Sequence, residues 1–416
     1  MRYRGVLVGL LVALPLALAG CDDRTSVSSA APTPSGPAPR PLTLEITPAT
    51  PTKGLPISTE VGTRVRGGTI TTVRMTQGST VIAGTMREDG SAWVPAQPLA
   101  YGKAYAVVVS AAGEAGQKVS KRAVFTTAPS GGGAELGSGL YLFSGHTYGV
   151  AMPVVAEFVP GIAVKDRARL ERRMFVRSSP AQPGVWHWTA SGTQAFYRPP
   201  AYWRPGTTLA VRLGLAGVRL SNGRTSPVDR SATVKIGRKL QMVVDNKTKR
   251  LTVIKNGRAV RKMAVSLGKP STPSSSGTLV VMEKAASTIF DTRAELGPVN
   301  GYRARIAYAQ RLTWGGEFIH SAPWSVGDQG YRNVSHGCVN VAPGNASWLF
   351  SQTMIGDPVT VTGTGVKVVD GNGWTVWSQS WSEYVKSSAL PVPASLKSAG
   401  HTADAVTTQK VRTPRI

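Results

Sequence analysis

The chain has 416 residues, with 48 Lys and Arg against 22 Asp and Glu, a formal net charge of +26, and 2 cysteines. Two thiols exclude a disulfide framework, and the length points to about three domains rather than one. The basic excess calls for acidic partners or an acidic matrix, but no dense Lys/Arg run and no nucleic-acid module motif accompanies it, so nucleic acid is not expected as a partner.

Residues 1–20 have the order of a signal peptide. Arg2 and Arg4 form a basic start, and an apolar run from Val6 to Leu18 follows, too short to span a bilayer comfortably. The segment Leu18-Ala19-Gly20-Cys21 resembles a bacterial lipobox. That resemblance implies cleavage before Cys21, lipidation of its thiol, and anchoring to the cell membrane with the body of the protein outside the cell. Residues 21–41, rich in Ala, Pro, Ser and Thr, cannot bury a core and read as a semi-extended spacer.

Residues 42–127 and 138–236 show short β-rich runs between turns, joined by a linker that contains Ser130-Gly131-Gly132-Gly133. A faint repeat relates Trp93–Tyr101, followed by Tyr105-Ala106-Val107, to Phe196–Tyr202, followed by Leu209-Ala210-Val211. Its spacing is about one immunoglobulin-sized domain, so two tandem β-sandwiches are expected. Val164 to Arg173 is a helical candidate in a loop insertion, or a charged surface face.

Residues 237–362 open with a hairpin signal, in which Leu240–Asp245 and Arg250–Ile254 flank a polar turn. Further strands are expected at Ala259–Leu267, Thr278–Met282, Arg305–Ala309, Glu317–His320 and Asp357–Thr362, with a short helix at Ala346–Thr353. Gly268–Gly277 is a polar loop, and Ala285–Arg303 has the size of a functional loop or lid. In residues 363–386, Trp374, Trp377, Trp381 and Tyr384 recur at spacings that place them on one face of a short helix, expected to dock on the preceding domain. Residues 387–416 read as a flexible tail.

The run Ser335-His336-Gly337-Cys338-Val339-Asn340, with His320-Ser321 upstream, holds the one cysteine expected inside a folded domain. If Cys21 carries lipid, Cys338 has no disulfide partner, and an unpaired thiol outside the cell is exposed to oxidation unless chemistry requires it. A nucleophilic thiol needs a base and an environment that favours the thiolate, and either His320 or His336 can serve as that base. A zinc site built on His320, His336 and Cys338 is disfavoured because the nearest acid, Asp328, is at no recognised spacing; no metal and no cofactor is expected. No functional role is expected for His146, His187 or His401.

The stretch Phe318–Gly327, followed by Ser335–Val341, resembles an L,D-transpeptidase catalytic domain of the YkuD type. The whole layout is similar to actinobacterial members of that family. The fold class it implies is mainly β: two tandem immunoglobulin-like β-sandwiches, a β-rich YkuD-type catalytic domain, and a short C-terminal helical subdomain. The resemblance implies a cysteine acyltransferase acting on peptidoglycan tetrapeptide stems, which serve as donor and acceptor. Cys338 would attack the stem, D-alanine would leave, and an amine would resolve the thioester into a 3→3 cross-link, in cell wall biogenesis. Acidic wall polymers are further partners in keeping with the charge, and carbapenems are expected to acylate Cys338. His320 matches the family's base and Ser321 its orienting member, acting through the main-chain carbonyl. His336 and Gly337 shape the turn, and the Gly337 and Cys338 N–H groups are natural oxyanion donors. Tyr302, Trp324, Ser335 and Asn340 match substrate-site positions, although Trp324 and Tyr302 could pack in a core and Asn340 could cap a turn. A non-catalytic wall-binding scaffold is the competing reading. The intact His320, Ser321 and Cys338 speak against it.

Overall fold

The computed structural model describes residues 40–87, 90–130, 132–291, 293, 297 and 303–399. Cys21 and Tyr302 therefore lie outside the described residues. Among the described residues no helix is long and apolar enough to cross a membrane.

The first sandwich packs a four-stranded sheet against a five-stranded one. The period-two side-chain alternation of a strand explains its core. Along Ala104–Gly113 the residues Tyr105, Val107, Val109 and Ala111 point inward, onto Val61, Met75, Trp93 and Phe125 of the same core. The second sandwich packs two four-stranded sheets, with Val154–Val159 and Gln194–Arg198 in one and Thr208–Leu213 and Arg230–Ile236 in the other. The sequence repeat has a structural counterpart. Ala92–Pro95 leads into Ala104–Gly113 as Gln194–Arg198 leads into Thr208–Leu213, and each step crosses from one sheet to the other. Arg212 fastens the sandwiches together by pairing with Glu60 of the first and Asp229 of the second.

Val164–Glu171 is a helix between strands, and it is not merely a charged surface face. Asp166 and Glu171 are buried because each has donors: Asp166 accepts from Ser221, and Glu171 from Trp188, Ser388 and Ala389.

Residues 240–362 form a nine-stranded mixed sheet. Four neighbouring strands of it, in order, are Arg258–Ser266, Val339–Val341, Phe318–Ser321 and Arg303–Arg311. Val339–Val341 runs antiparallel to Arg258–Ser266 and parallel to Phe318–Ser321. The tight turn at Asn256-Gly257, where both residues have positive φ, suits an Asn-Gly hairpin. Pro343–Gln352 is a helix whose start carries proline in the first turn, where a missing N–H costs nothing.

The expected long loop at 285–303 is largely strand. Glu283–Asp291 pairs in antiparallel register with Arg303–Arg311, so the connection shrinks to residues 292–302, most of them outside the described set. Alternating half-buried and exposed positions along Glu283–Asp291 fit an edge strand, a pattern its Ala and Ser residues conceal.

The aromatic C-terminal segment is three short turns rather than one helix, and it docks chiefly on the second sandwich. The Tyr384 hydroxyl donates to the carbonyls of Val185 and Phe196, and Trp377 Nε1 donates to the Ala151 carbonyl. Arg198 lies over the rings of Trp377, Trp381 and Tyr384, at 4.4, 5.2 and 4.2 Å. His187 is a buried packing residue, stacked on Tyr384 at 4.7 Å. Ser378 ties the same segment to the catalytic sheet at Thr278.

Candidate active site

The parallel pairing of Phe318–Ser321 with Val339–Val341 brings the two sequence motifs together, with His320 opposite Asn340 and Ile319 opposite Val339. Cys338 immediately precedes this strand, at the end of a sharp turn. Gly337 has φ +119°, which side chains rarely adopt, yet a Cβ there would meet nothing closer than Glu317 Cγ at 3.7 Å. Conformation, not space, demands glycine at this position.

Ser335 staples the turn. Its hydroxyl accepts the Gly337 N–H at 3.1 Å and donates to the Cys338 carbonyl at 2.6 Å. The Gly337 N–H is thereby committed, which corrects its expected role as an oxyanion donor. The Cys338 N–H makes no hydrogen bond among the described residues. The polar loop at 268–277 clamps the turn from outside. Ser274 Oγ donates to the Gly337 carbonyl at 2.7 Å and accepts the Gly268 N–H at 3.0 Å, and the Lys269 N–H donates to the Ser335 carbonyl at 2.9 Å.

Cys338 is 7% exposed and packs with Ile306, Ala309 and Phe318. Its Sγ lies 3.6 Å from the Gly316 carbonyl and makes no hydrogen bond to His320. Burial pushes the thiol up to about 12, opposed by a hydrogen bond from the Phe318 main chain and reinforced by the nearby Glu317 carboxyl. The environment expected to favour the thiolate therefore does the opposite at rest, because an apolar pocket penalises the charged form.

His320 is buried, with Nδ1 donating to the Ser321 carbonyl at 2.8 Å. A carbonyl only accepts, so the ring proton sits on Nδ1 and Nε2 carries the lone pair. Burial lowers the imidazole below its ordinary value, and the Ser321 bond opposes that shift. Phe290 meets the ring edge-on at 5.5 Å, and Trp324 lies 5.9 Å away. Burial thus disfavours the charged form of both groups, thiolate and imidazolium alike.

Trp324 is 60% exposed, so it is not a core residue. Asn340 is buried. Its Nδ2 donates to Ser325 Oγ at 3.1 Å, and this fixes the 3-10 turn Pro323–Ser325 that carries Trp324. His336 is exposed, with Nε2 3.1 Å from Lys269 Nζ, and does not hydrogen-bond to Cys338. Burial and the Lys269 charge lower its pKa. Sequence reasoning missed Glu317, Ser274 and Phe290. Serines in a Ser/Pro loop and an acid at a strand start carry no distinguishing signal. Among the described residues no cluster of three or more His, Cys, Asp or Glu could hold a metal.

Comparison with known proteins agrees with this geometry. Residues 240–361 match the L,D-transpeptidase catalytic domain, and residues 52–219 match a bacterial Ig domain whose single span crosses both sandwiches. L,D-transpeptidase 2 of Mycobacterium tuberculosis is 32% identical over 337 residues, which cover 80% of this chain and 81% of the relative. L,D-transpeptidase 5 of the same organism is 32% identical over 83% of this chain and 75% of its own length. L,D-transpeptidase 1 is 38% identical over 53% of this chain and 82% of its own length. A likeness at this identity that runs through the sandwiches and the catalytic sheet alike means that this chain belongs to the L,D-transpeptidases.

Proposed function

We propose that this protein joins peptidoglycan stems through a thioester on Cys338, with His320 moving the protons. The observation that carries the reading is the parallel register that sets His320 opposite Asn340, two residues beyond Cys338, with the His320 lone pair on Nε2. In the first half-reaction Sγ attacks the carbonyl before the terminal D-alanine of a tetrapeptide stem. His320 Nε2 takes the thiol proton and returns it to the departing amine. The Cys338 N–H is the main-chain donor for the oxyanion, and Tyr302 is a further candidate. In the second half-reaction an acceptor amine attacks the thioester, His320 takes the amine proton, and the sulfur leaves and is reprotonated. The broken peptide bond supplies the energy held in the thioester, so no cofactor takes part.

Because burial disfavours both the thiolate and the imidazolium, proton transfer is coupled to attack on the bound carbonyl rather than completed beforehand. Trp324, exposed beside the base, is a substrate-facing residue, and Ser335 and Asn340 position the turn and the loop around it. Strained β-lactams of the carbapenem class acylate the same sulfur. Lipidation at Cys21 would anchor the chain outside the membrane, and the two sandwiches with the spacer would set the reach of the site into the wall. The basic surface suits acidic wall polymers.

The test is mass spectrometry of the purified protein with a disaccharide-tetrapeptide, beside Cys338→Ala. A cross-linked dimer with D-alanine released, absent in the variant, supports the reading. Tripeptide without dimer makes the protein a carboxypeptidase.

A further inference from the structure

Glu317 is a half-buried acid that the acyl-transfer scheme leaves unused. It immediately precedes the strand that carries His320, and its side chain lies against the nucleophile's turn. A Cβ on Gly337 would sit 3.7 Å from Glu317 Cγ and 4.0 Å from Oε1. Oε1 accepts the Ser275 N–H at 2.7 Å, while Oε2 is buried without a hydrogen-bond partner. The backbone is pinned as well: the Glu317 N–H donates to Thr313 Oγ1 at 3.0 Å, and its carbonyl accepts the Leu312 N–H at 2.9 Å.

The charged and titratable neighbours do not neutralise it. Arg311 stacks over Phe318 and pairs with Glu283, Lys269 sits beside His336, and His320 is neutral and bonded to Ser321. Among the described residues no Lys or Arg forms an ion pair with Glu317. Two acids thus flank the turn, this carboxyl and the Cys338 thiol, and the carboxylate adds to burial in raising the thiol. An anion buried without a cation is costly, and a second one beside it is costlier still. Burial raises Glu317, against the pull of its bond from the Ser275 N–H.

We propose that Glu317 is a positioning residue that acts through charge: its carboxyl and the Cys338 thiol compete to carry a negative charge, so an ionised Glu317 adds to burial in keeping the nucleophile protonated at rest. With the proton on the carboxyl, Sγ can pass its own proton to His320 Nε2 without creating a second anion. With Glu317 ionised, the thiol keeps its proton and resists oxidation, which attacks the thiolate. Such a restraint suits an unpaired cysteine in an oxidising compartment. The proposal rests on Cys338 being the nucleophile, but its test reads the thiol directly and does not depend on cross-linking.

The experiment is the rate of Cys338 alkylation by iodoacetamide in the full chain, followed from about pH 5 to about pH 10 in wild type and Glu317→Gln. The wild-type rate is expected to rise, flatten as Glu317 ionises, and rise again. Glu317→Gln keeps an acceptor for the Ser275 N–H. It is expected to show a single rise and to react roughly tenfold faster on the plateau, the equivalent of about one pKa unit. Superimposable profiles, or a uniform change at all pH values, overturn the proposal, because a purely structural role would not remove an inflection. If the variant does not fold, the carboxyl 13C titration of Glu317 decides. It should show an alkaline inflection in wild type that vanishes in Cys338→Ala, and identical curves overturn the proposal. Alkylation as described with no cross-linking would sink the transpeptidase reading and leave this one standing.

Discussion

The Ser335 hydroxyl donates to the Cys338 carbonyl while accepting the Gly337 N–H, so one oxygen closes the turn that aims the nucleophile. Ser335→Ala leaves a buried N–H and a buried carbonyl without that partner. The expected loss is about 1–3 kcal/mol of stability, read from a urea midpoint, with slower acylation of Cys338. Unchanged stability and acylation would show that the staple is dispensable.

Gly337→Ala tests conformation separately from space. Nothing crowds a methyl group there, but φ +119° strains an alanine by roughly 1–3 kcal/mol. The protein should fold with a lowered melting temperature and acylate at least tenfold more slowly. Wild-type kinetics would mean that the turn relaxes freely.

The pH dependence has a definite sign. His320 is held below its ordinary value by burial, so the unfolded chain binds its proton first as pH falls. Stability should therefore fall as pH drops through about 6.5, the unfolded value, toward the folded one, and the acid limb of acylation should lie below that point. Cys338 is raised to about 12, so its contribution is present below the unfolded thiol value and lost as pH climbs toward the folded one. Denaturation across pH in wild type and Cys338→Ala checks the alkaline part. Parallel curves would contradict it.

Trp324 and Trp381 should behave oppositely. Trp324 is 60% exposed, so Trp324→Ala should change stability by less than about 0.5 kcal/mol and impair turnover of tetrapeptide. Trp381 is buried under Arg198 and against the second sandwich, so Trp381→Ala should cost about 3–5 kcal/mol by releasing the C-terminal segment. A melting curve and a steady-state assay on each variant separate the two.

The sequence carried much of this site because its chemistry is concentrated in two short motifs. Cys338 with a histidine base was legible from residue type and order, Ser321 and Ser335 entered only through the family resemblance, which gave Ser335 as a substrate-site position rather than the staple of the turn, and the alternation in Ala104–Gly113 was enough for a sandwich strand. What stayed hidden depended on tertiary contacts. Glu317 became distinctive only once Gly337 lay against it, and Ser274 once the loop at 268–277 folded onto the turn. The edge strand Glu283–Asp291 was masked by small and polar residues that tolerate half-exposure. The commitment of the Gly337 N–H and the neutral state of the thiol are properties of a closed, apolar environment, which no spacing of residues encodes.

The most direct test of the account is rapid-quench intact-mass measurement of the protein mixed with a disaccharide-tetrapeptide, followed by peptide mapping. The account predicts a transient adduct of the stem less its D-alanine, located on the peptide that contains Cys338, lost in Cys338→Ala and accumulating slowly in His320→Gln. Cross-linked product formed at the wild-type rate by Cys338→Ala, or an adduct on any other residue, would contradict it.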